Sequence, residues 1–319
     1  MTKSRFKRLL KYSALFFALV ALAAAIIIFP ERYVLTCFTG FAMWAECVLP
    51  SLFPFMVITL ILVKTGLAEK ASLPLRRVTG LFRLPPASAA CFLLSALSGY
   101  PAGSRVLSEF YDGGSLTKSD CQKLSYLCST SGPLFIIGSV GFKMFGDKII
   151  GLKILAAHLL SVIITSLVIA LLSKSGKSGS PARKAPDKNV LYNSFYGAVI
   201  AVAVAGGFIA FFCVTAQIFS DFNLLKPLQL LLNLFMDEKL SSAICTGLIE
   251  PTTGCRAIAA LSGEKLAVAL AGFLITFGGV SIILQQLSYL LNCGVNPFKF
   301  VAVKLIQAAI CFVFLLLTA

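Results

Sequence analysis

Charged residues are scarce in this sequence. They make up 13% of the 319 residues, whereas 58% are hydrophobic, and the mean hydropathy is +0.91. A soluble chain of this length carries far more charge over its apolar core. The composition therefore excludes a soluble protein and makes the lipid bilayer the first predicted partner.

Metal ligands and catalytic groups are equally few. The chain has one histidine, His158, and its ten cysteines contain no C-x-x-C pair. Most of the cysteines lie in apolar runs, where cysteine behaves as a small hydrophobic residue, so no metal site is expected. We interpret His158, which lies in a long apolar span, as a hydrogen-bonded packing residue. Because no nucleophile paired with a base and no phosphate-binding loop stands out, we expect no catalytic residues, no enzyme and no cofactor.

A signal-peptide cleavage site is missing as well. The apolar run at 14–29 follows basic residues, as in a signal peptide, but it leads into Pro30, Glu31 and Arg32 instead of small residues. We therefore expect residues 1–33 to hold a retained N-terminal transmembrane helix.

Positive charge is the exception to this scarcity, with a formal net charge of +15 at pH 7. The cations form short blocks beside apolar segments, a pattern that membrane topology explains better than nucleic-acid binding, so no nucleic-acid partner is expected. The richest blocks are the N-terminal arm, the loop at 64–83 and the Gly/Ser/Pro linker at 173–189. Placing all three in the cytoplasm predicts a multi-pass protein of the bacterial cell membrane with a cytoplasmic N-terminus and an outside C-terminus.

Apolar segments of about 20 residues, enough to cross a bilayer, recur along the chain. Uninterrupted crossings are predicted at 34–66, 150–172, 190–219 and 297–317. Two further segments contain Ser131-Gly132-Pro133 or Gly278-Gly279 and are predicted to be broken helices, at 118–145 and 264–291. Two others have apolar arms too short to cross and are predicted to be re-entrant hairpins, at 86–112 and 239–262. The predicted fold class is an all-α polytopic membrane protein.

The parts occur in the same order on both sides of the linker: a span, a hairpin, a broken helix and a closing span. The first half begins outside and the second inside, which predicts inverted repeats at 34–172 and 190–319, joined by the basic cytoplasmic linker. The stretch from Pro101 to Arg105 also matches the stretch from Pro251 to Arg256. Coincidence among apolar segments is the alternative. Secondary transporters use inverted repeats with broken helices to form a binding site at the membrane midplane.

The candidate site consists of polar residues at the two hairpin tips and the two helix breaks. A helix that ends inside a bilayer leaves N–H and C=O groups that protein, water or a ligand must satisfy, and a proline at the start of a half-helix leaves N–H groups suited to an anionic or strongly polar group. The candidate substrate-binding residues are Ser98, Tyr100, Ser104, Arg105, Ser129, Thr130 and Ser131 in the first half, and Glu250, Thr252, Thr253, Arg256, Thr276, Ser281 and Gln285 in the second. Hydrogen bonding between packed helices is the alternative role for each.

Four charged residues carry further expectations. Arg105 and Arg256 occupy corresponding positions after the two turns, so we expect both to approach the same polar centre, while mutual neutralisation of Glu250 and Arg256 is equally open. Glu46, at predicted membrane depth, is the candidate for coupling to Na⁺ or H⁺. If its span is shifted toward an interface, Glu46 is simply solvated.

Three short motifs resemble a known family. They are S-L-F-P-F at Ser51–Phe55, S-G-Y-P-A-G at Ser98–Gly103 and S-x-S-G-P-L-F-I-I-G at Ser129–Gly138. From about residue 34 onward the chain resembles the YlbJ-like sporulation integral membrane proteins and, more broadly, the Gate or nucleoside-recognition domain family. The second half matches more loosely, at Glu250–Gly254 and Gly272–Ser281. The resemblance implies a hairpin-containing fold like that of concentrative nucleoside transporters and a spore-forming source, but it implies no substrate.

These features lead us to expect a secondary-transporter-like protein that moves a small polar solute, nucleoside-like solutes included, in connection with sporulation. The alternative is a non-transporting sporulation membrane protein with a structural or signalling role. Assembly into a homo-oligomer is compatible with both.

Overall fold

The computed structural model describes residues 3–173, 189–261 and 265–318, with side chains from Tyr12 onward. All regular secondary structure in these residues is helical. The basic linker predicted at 173–189 lies almost wholly outside them.

The helices follow one another closely along the chain. In order, they are α1 Lys3–Ile28, α2 Pro30–Met43, α3 Leu49–Thr65, α4 Leu67–Ser72, α5 Arg76–Leu81, α6 Ala87–Ser98, α7 Ala102–Asp112, α8 Lys118–Cys128, α9 Lys148–Leu172, α10 Val190–Asp221, α11 Lys226–Leu232, α12 Glu238–Ile249, α13 Pro251–Leu261, α14 Lys265–Phe277, α15 Gly279–Leu290 and α16 Pro297–Thr318. Two π-helical segments join α2 to α3 and lead from α8 toward α9, at Trp44–Val48 and Leu134–Met144.

Five helical stretches in the described residues are long and apolar enough to cross a membrane: Pro30–Thr65, Lys148–Leu172, Val190–Asp221, Lys265–Leu290 and Pro297–Thr318. They coincide with the predicted uninterrupted crossings and with the second predicted broken helix. Large apolar side chains such as Phe211 and Phe298 are exposed on them, as a surrounding of lipid tails permits. The apolar part of α1 is shorter, at Tyr12–Ile28. The protein is an all-α polytopic membrane protein, as predicted.

Both predicted helix breaks are present. α8 begins at a capping box, in which the Asp120 N–H donates to Thr117 Oγ1 at 3.2 Å and the Thr117 N–H donates to Asp120 Oδ2 at 3.0 Å. It ends before Pro133, which has no N–H with which to continue a helix. α14 ends at Gly278, whose φ of +89° lies in the left-handed region that glycine adopts at helix ends.

Both predicted hairpins are present as pairs of short helices, and their re-entry into the membrane stays a prediction. The first consists of α6 and α7, with 12 and 11 residues, and the second of α12 and α13, also with 12 and 11. At 1.5 Å per residue each arm reaches about 17 Å, roughly half of the 30 Å hydrocarbon thickness. An arm of this length that starts at a membrane surface ends near the middle of the bilayer, which is what a re-entrant hairpin requires.

Each hairpin is packed into a core that contains residues from both halves of the chain. Around the first hairpin, Val106 of α7 shares a cluster with Leu287 of α15. Around the second, Ile258 of α13 shares a cluster with Ile136 of the π-helical segment. The predicted repeats are therefore intertwined in the fold, and their inverted relation stays a prediction.

Candidate functional site

A small cavity lies between the two hairpin tips, the first break and the half-helix α15 that follows the second break. Its volume is about 40 Å³, space for only a few water molecules. The candidate residues that line it come from both tips and both broken helices: Ser98, Tyr100, Ser131, Thr252 and Gln285. Most of the remaining lining is apolar and includes Leu52 of α3 and Ile209 of α10.

Glycines allow each tip to touch the neighbouring break. Gly99, with φ of +75°, has no room for a side chain, because a Cβ there would lie 2.4 Å from the Gly132 backbone nitrogen. Gly279, with φ of +56°, would place a Cβ 2.9 Å from Pro251 Cδ. The first tip thus packs directly on the first break and the second tip on the second.

The hydroxyl groups of the first tip and break bond to neighbouring helices. Ser98 Oγ lies 2.8 Å from Thr59 Oγ1, and Thr130 Oγ1 donates to the Ser95 carbonyl at 3.2 Å. Tyr100 reaches across to the second half, where its hydroxyl donates to the Ile275 carbonyl.

The first hairpin also contacts α15 directly. Ser104 Oγ donates to Gln286 Oε1 at 3.3 Å. The adjacent residue, Gln285, donates from its Nε2 to the Oγ of Ser281, one turn earlier in α15, at 3.3 Å. Gln285 therefore faces the cavity while its neighbour Gln286 holds the first hairpin, and Ser281 supports Gln285.

His158 joins the two breaks. It is fully buried in α9, and its Nε2 accepts from the Ser131 backbone N–H at 3.0 Å. Its Nδ1 lies 3.0 Å from Thr276 Oγ1 in α14. His158 is a hydrogen-bonded packing residue, as the sequence indicates, but its position between the breaks follows only from the fold.

A lysine in α16 takes part in the first break, although sequence reasoning did not select it. Lys304 is fully buried, and its Nζ donates to the Ser129 carbonyl at 2.9 Å. In a continuous helix that carbonyl would accept from the N–H of residue 133, which Pro133 lacks. Nζ also lies 5.8 Å from the centre of the Tyr100 ring, a cation–π distance. Lys304 thus supplies the donor that the proline removes. Its signal in the sequence was a lone lysine inside an apolar span.

Glu250 is the corresponding anion at the second tip. It is fully buried, and its carboxylate accepts from the Thr252 N–H at 3.2 Å, the Thr253 N–H at 2.7 Å and the Thr253 hydroxyl at 2.8 Å. These groups belong to the first turn of α13, where the helix dipole favours a negative charge. Among the described residues Glu250 forms no ion pair with Arg256, so the structure does not show their mutual neutralisation.

Several buried polar atoms around the breaks have no hydrogen-bond partner in the described structure. They are Ser129 Oγ, Gln286 Nε2 and Gln307 Oε1. Buried polar groups in native proteins are nearly always satisfied, so water or a ligand is expected here. No group of three or more His, Cys, Asp and Glu in the described ranges is placed to hold a metal ion.

The structure separates Arg105 and Arg256, against the expectation that both approach one polar centre. Arg105 Nη1 donates to the Gly197 carbonyl at 2.8 Å, and its Nη2 lies 3.7 Å from Glu109 Oε1. Arg256 is exposed and lines an open groove beside Gln217. Gly197 and Gln217 are about 30 Å apart along α10. Both arginines lie more than a helical turn beyond their tips, so their side chains have left the centre.

Glu46 also lies away from the cavity. It is exposed on the π-helical segment Trp44–Val48, whereas Val48 lines the cavity. Two residues correspond to about half a helical turn, so the two side chains point in opposite directions. The backbone carbonyl of Glu46 accepts from Lys143 Nζ at 2.8 Å.

Comparison with known proteins finds one clear relative along most of the chain. It is the sporulation integral membrane protein YlbJ of Bacillus subtilis (strain 168). The alignment spans 325 residues with 24% identity, and it covers 93% of this chain and 80% of YlbJ. This similarity confirms the resemblance to the YlbJ-like sporulation proteins, while the broader resemblance to the Gate domain family stays a prediction. No family model matches the chain. No solved structure matches it.

Proposed function

We propose that the protein is a secondary carrier that exposes its central cavity alternately to the two sides of the membrane and so moves a small polar solute. The observation that carries the proposal is the convergence of both hairpin tips, the first break and the half-helix after the second break on one cavity. Irregular backbone at membrane depth is stable only where protein, water or a ligand satisfies it. Carriers use such broken helices to bind solutes near the midplane.

The cavity favours a solute with a negative or strongly polar group. Gly132 and Phe135, at the start of the π-helical segment, line the cavity, and the first N–H groups of a helix have no intrahelical acceptor. Gln285 adds both donors and acceptors, which suit a nucleoside-like solute. A cavity of about 40 Å³ is too small for such a molecule, so binding would require a hairpin to move.

We assign coupling to H⁺ or Na⁺ to Glu250 in preference to Glu46. Glu250 is fully buried beside Thr252, which lines the cavity, whereas Glu46 is exposed. The similarity to YlbJ, a sporulation integral membrane protein, extends the proposal to sporulation in a bacterial membrane.

Thermal shift of the purified protein against nucleosides, nucleobases, amino acids and dicarboxylates tests solute binding, because a ligand of the folded state raises the melting temperature. Ser131→Ala and Gln285→Ala should weaken binding of the selected solute by roughly two- to tenfold, the effect of one hydrogen bond. Ser288→Ala, exposed on the same helix as Gln285, is the matched control.

Uptake into proteoliposomes of the solute that binds then tests transport. If no solute binds and none is taken up, a structural role in sporulation replaces the carrier.

A further inference from the structure

A second, larger space lies on the other side of the second hairpin tip. It is a groove of about 530 Å³ between α2 and α13, with α10 and α12 beneath it, and we name it the α2–α13 groove. Its polar lining is unusual for a surface that faces lipid tails: Thr36, Thr39, Gln217, Ser220, Thr246 and Arg256.

Arg256 indicates that water fills this groove. Its side chain is exposed and, within the part of the chain that the structure describes, makes no ion pair. It lies about 8 Å along α13 from the tip at Pro251, well inside the roughly 15 Å of hydrocarbon on each side of the midplane. An unpaired arginine at this depth is strongly unfavourable in lipid, so its surroundings must be hydrated.

The groove and the central cavity lie along one continuous helix face. On α10, Ala205 and Ile209 line the cavity, and Cys213, Gln217 and Ser220 line the groove. These residues recur at spacings of three and four, which places them on successive turns of the same face. A solute that follows this face passes from one space into the other.

The tip of the second hairpin lies between the two spaces, beside a small apolar cluster of Met43, Ile209 and Cys213. Thr252 lines the cavity, and the next residue, Thr253, lines the groove. Thr253 Oγ1 lies 3.3 Å from Cys213 Sγ on α10 and donates to Glu250. The contact between Thr253 and Cys213, together with Met43 packed against Cys213, closes the inner end of the groove.

We infer that the α2–α13 groove is the hydrated route by which solute reaches the cavity from the side on which α2 begins, with the second hairpin tip as its gate. Arg256 is the charge that selects what enters, since a cation in a cleft attracts anions and repels cations. This inference rests on the proposed carrier function.

Charged thiol reagents test the route without any solute. Thr246→Cys, in the groove, is treated with sulfonatoethyl or trimethylammonioethyl methanethiosulfonate, which do not cross membranes. The reagents are applied to intact cells and to inside-out vesicles, so that both sides of the membrane are reached, and peptide mass spectrometry locates the label. Cys213 is replaced by serine in every variant, which keeps a hydroxyl beside Thr253. We expect Thr246→Cys to react, faster with the anionic reagent. Phe211→Cys, on an exposed apolar face of α10, should not react, and Thr252→Cys, behind the gate, should react much more slowly.

Adding Arg256→Gln to Thr246→Cys should slow the reaction with the anionic reagent and speed the reaction with the cationic one. Each rate should change by about threefold, the effect of two unit charges about 7 Å apart in water. Lys265→Gln, which makes the same charge change on α14, should leave the rates unchanged.

Reaction at position 246 no faster than at 211 would show a lipid-filled cleft and overturn the route. Equal reactivity at 252 would overturn the gate, and rates unaltered by Arg256→Gln would overturn the selecting charge. If proteoliposomes transport solute but the groove is not labelled, the groove is not the route, and the carrier function stands. If the groove is labelled but no solute is transported, the carrier function is wrong.

Discussion

At the scale of single residues, the two buried charges near the cavity compensate helix ends rather than one another. Lys304 bonds to the Ser129 carbonyl that Pro133 leaves free, and Glu250 accepts N–H groups from the first turn of α13. A buried charge without compensation costs several kcal/mol. Charged hydrogen bonds to helix ends reduce that cost, and they make the first break and the second tip each depend on one side chain.

The neutral counterpart of these charges is His158, and replacing it tests whether it holds the breaks together. His158→Phe keeps a ring of similar size but removes both nitrogens, which leaves the Ser131 N–H and the Thr276 hydroxyl without their buried partner. We expect the unfolding free energy in detergent to fall by about 1–3 kcal/mol for each unpaired group. His158→Gln, which retains a donor and an acceptor, should recover part of the loss. An unfolding midpoint equal to that of the unaltered protein would show that the ring does not join the breaks.

Residue placement was the part of the site that the sequence predicted least well. Ser98, Ser131, Thr252 and Gln285 line the cavity, as the tip and break motifs suggest. Arg256 and Glu46 face elsewhere, because the direction of a side chain depends on which face of its helix is packed against a neighbour. Lys304 acts through a carbonyl 175 residues away in the sequence, a contact that no local pattern contains.

At the scale of elements, the interrupted helices were predictable because their causes are local. Proline removes a donor and Gly278 permits a left-handed turn, and both signals are visible in the sequence. The short arms of the hairpins follow from the lengths of their apolar runs. The π-helical course of Leu134–Met144 was not predictable, since it arises from packing; a Cβ at Gly141 would lie 2.6 Å from the Gly151 Cα.

Contact between a tip and its break can be tested with two glycines. Gly99→Ala introduces a Cβ 2.4 Å from the Gly132 nitrogen at φ of +75° and ψ of −176°, a conformation almost confined to glycine. Both the backbone strain of about 1–3 kcal/mol and the overpacking of about 1–3 kcal/mol therefore oppose it. We expect a clear drop in the melting temperature in detergent. Gly207→Ala in α10 is the control, because nothing lies within 4 Å of its new Cβ and alanine is favoured in helices by up to about 1 kcal/mol. Similar melting of both variants would mean that the tip can move off the break freely.

At the scale of the whole molecule, the two halves form one bundle around the cavity. Each hairpin is packed against helices of the other half, so neither half presents a complete site alone. Movement of one hairpin would therefore alter the core of the opposite half. This coupling is what a carrier requires if opening on one side is to accompany closure on the other.

The orientation of the termini tests the inverted relation of the halves. With the basic clusters in the cytoplasm, an even number of crossings separates Thr2 from Ser178, and an odd number separates Ser178 from Ala319. An impermeant thiol reagent should therefore label cysteines placed at positions 2 and 178 only from the cytoplasmic side and a cysteine at 319 only from outside. The unaltered protein is the control, since most of its own cysteines are buried. Labelling of positions 178 and 319 from the same side would require an even number of crossings in the second half, and the two halves would then not be inverted.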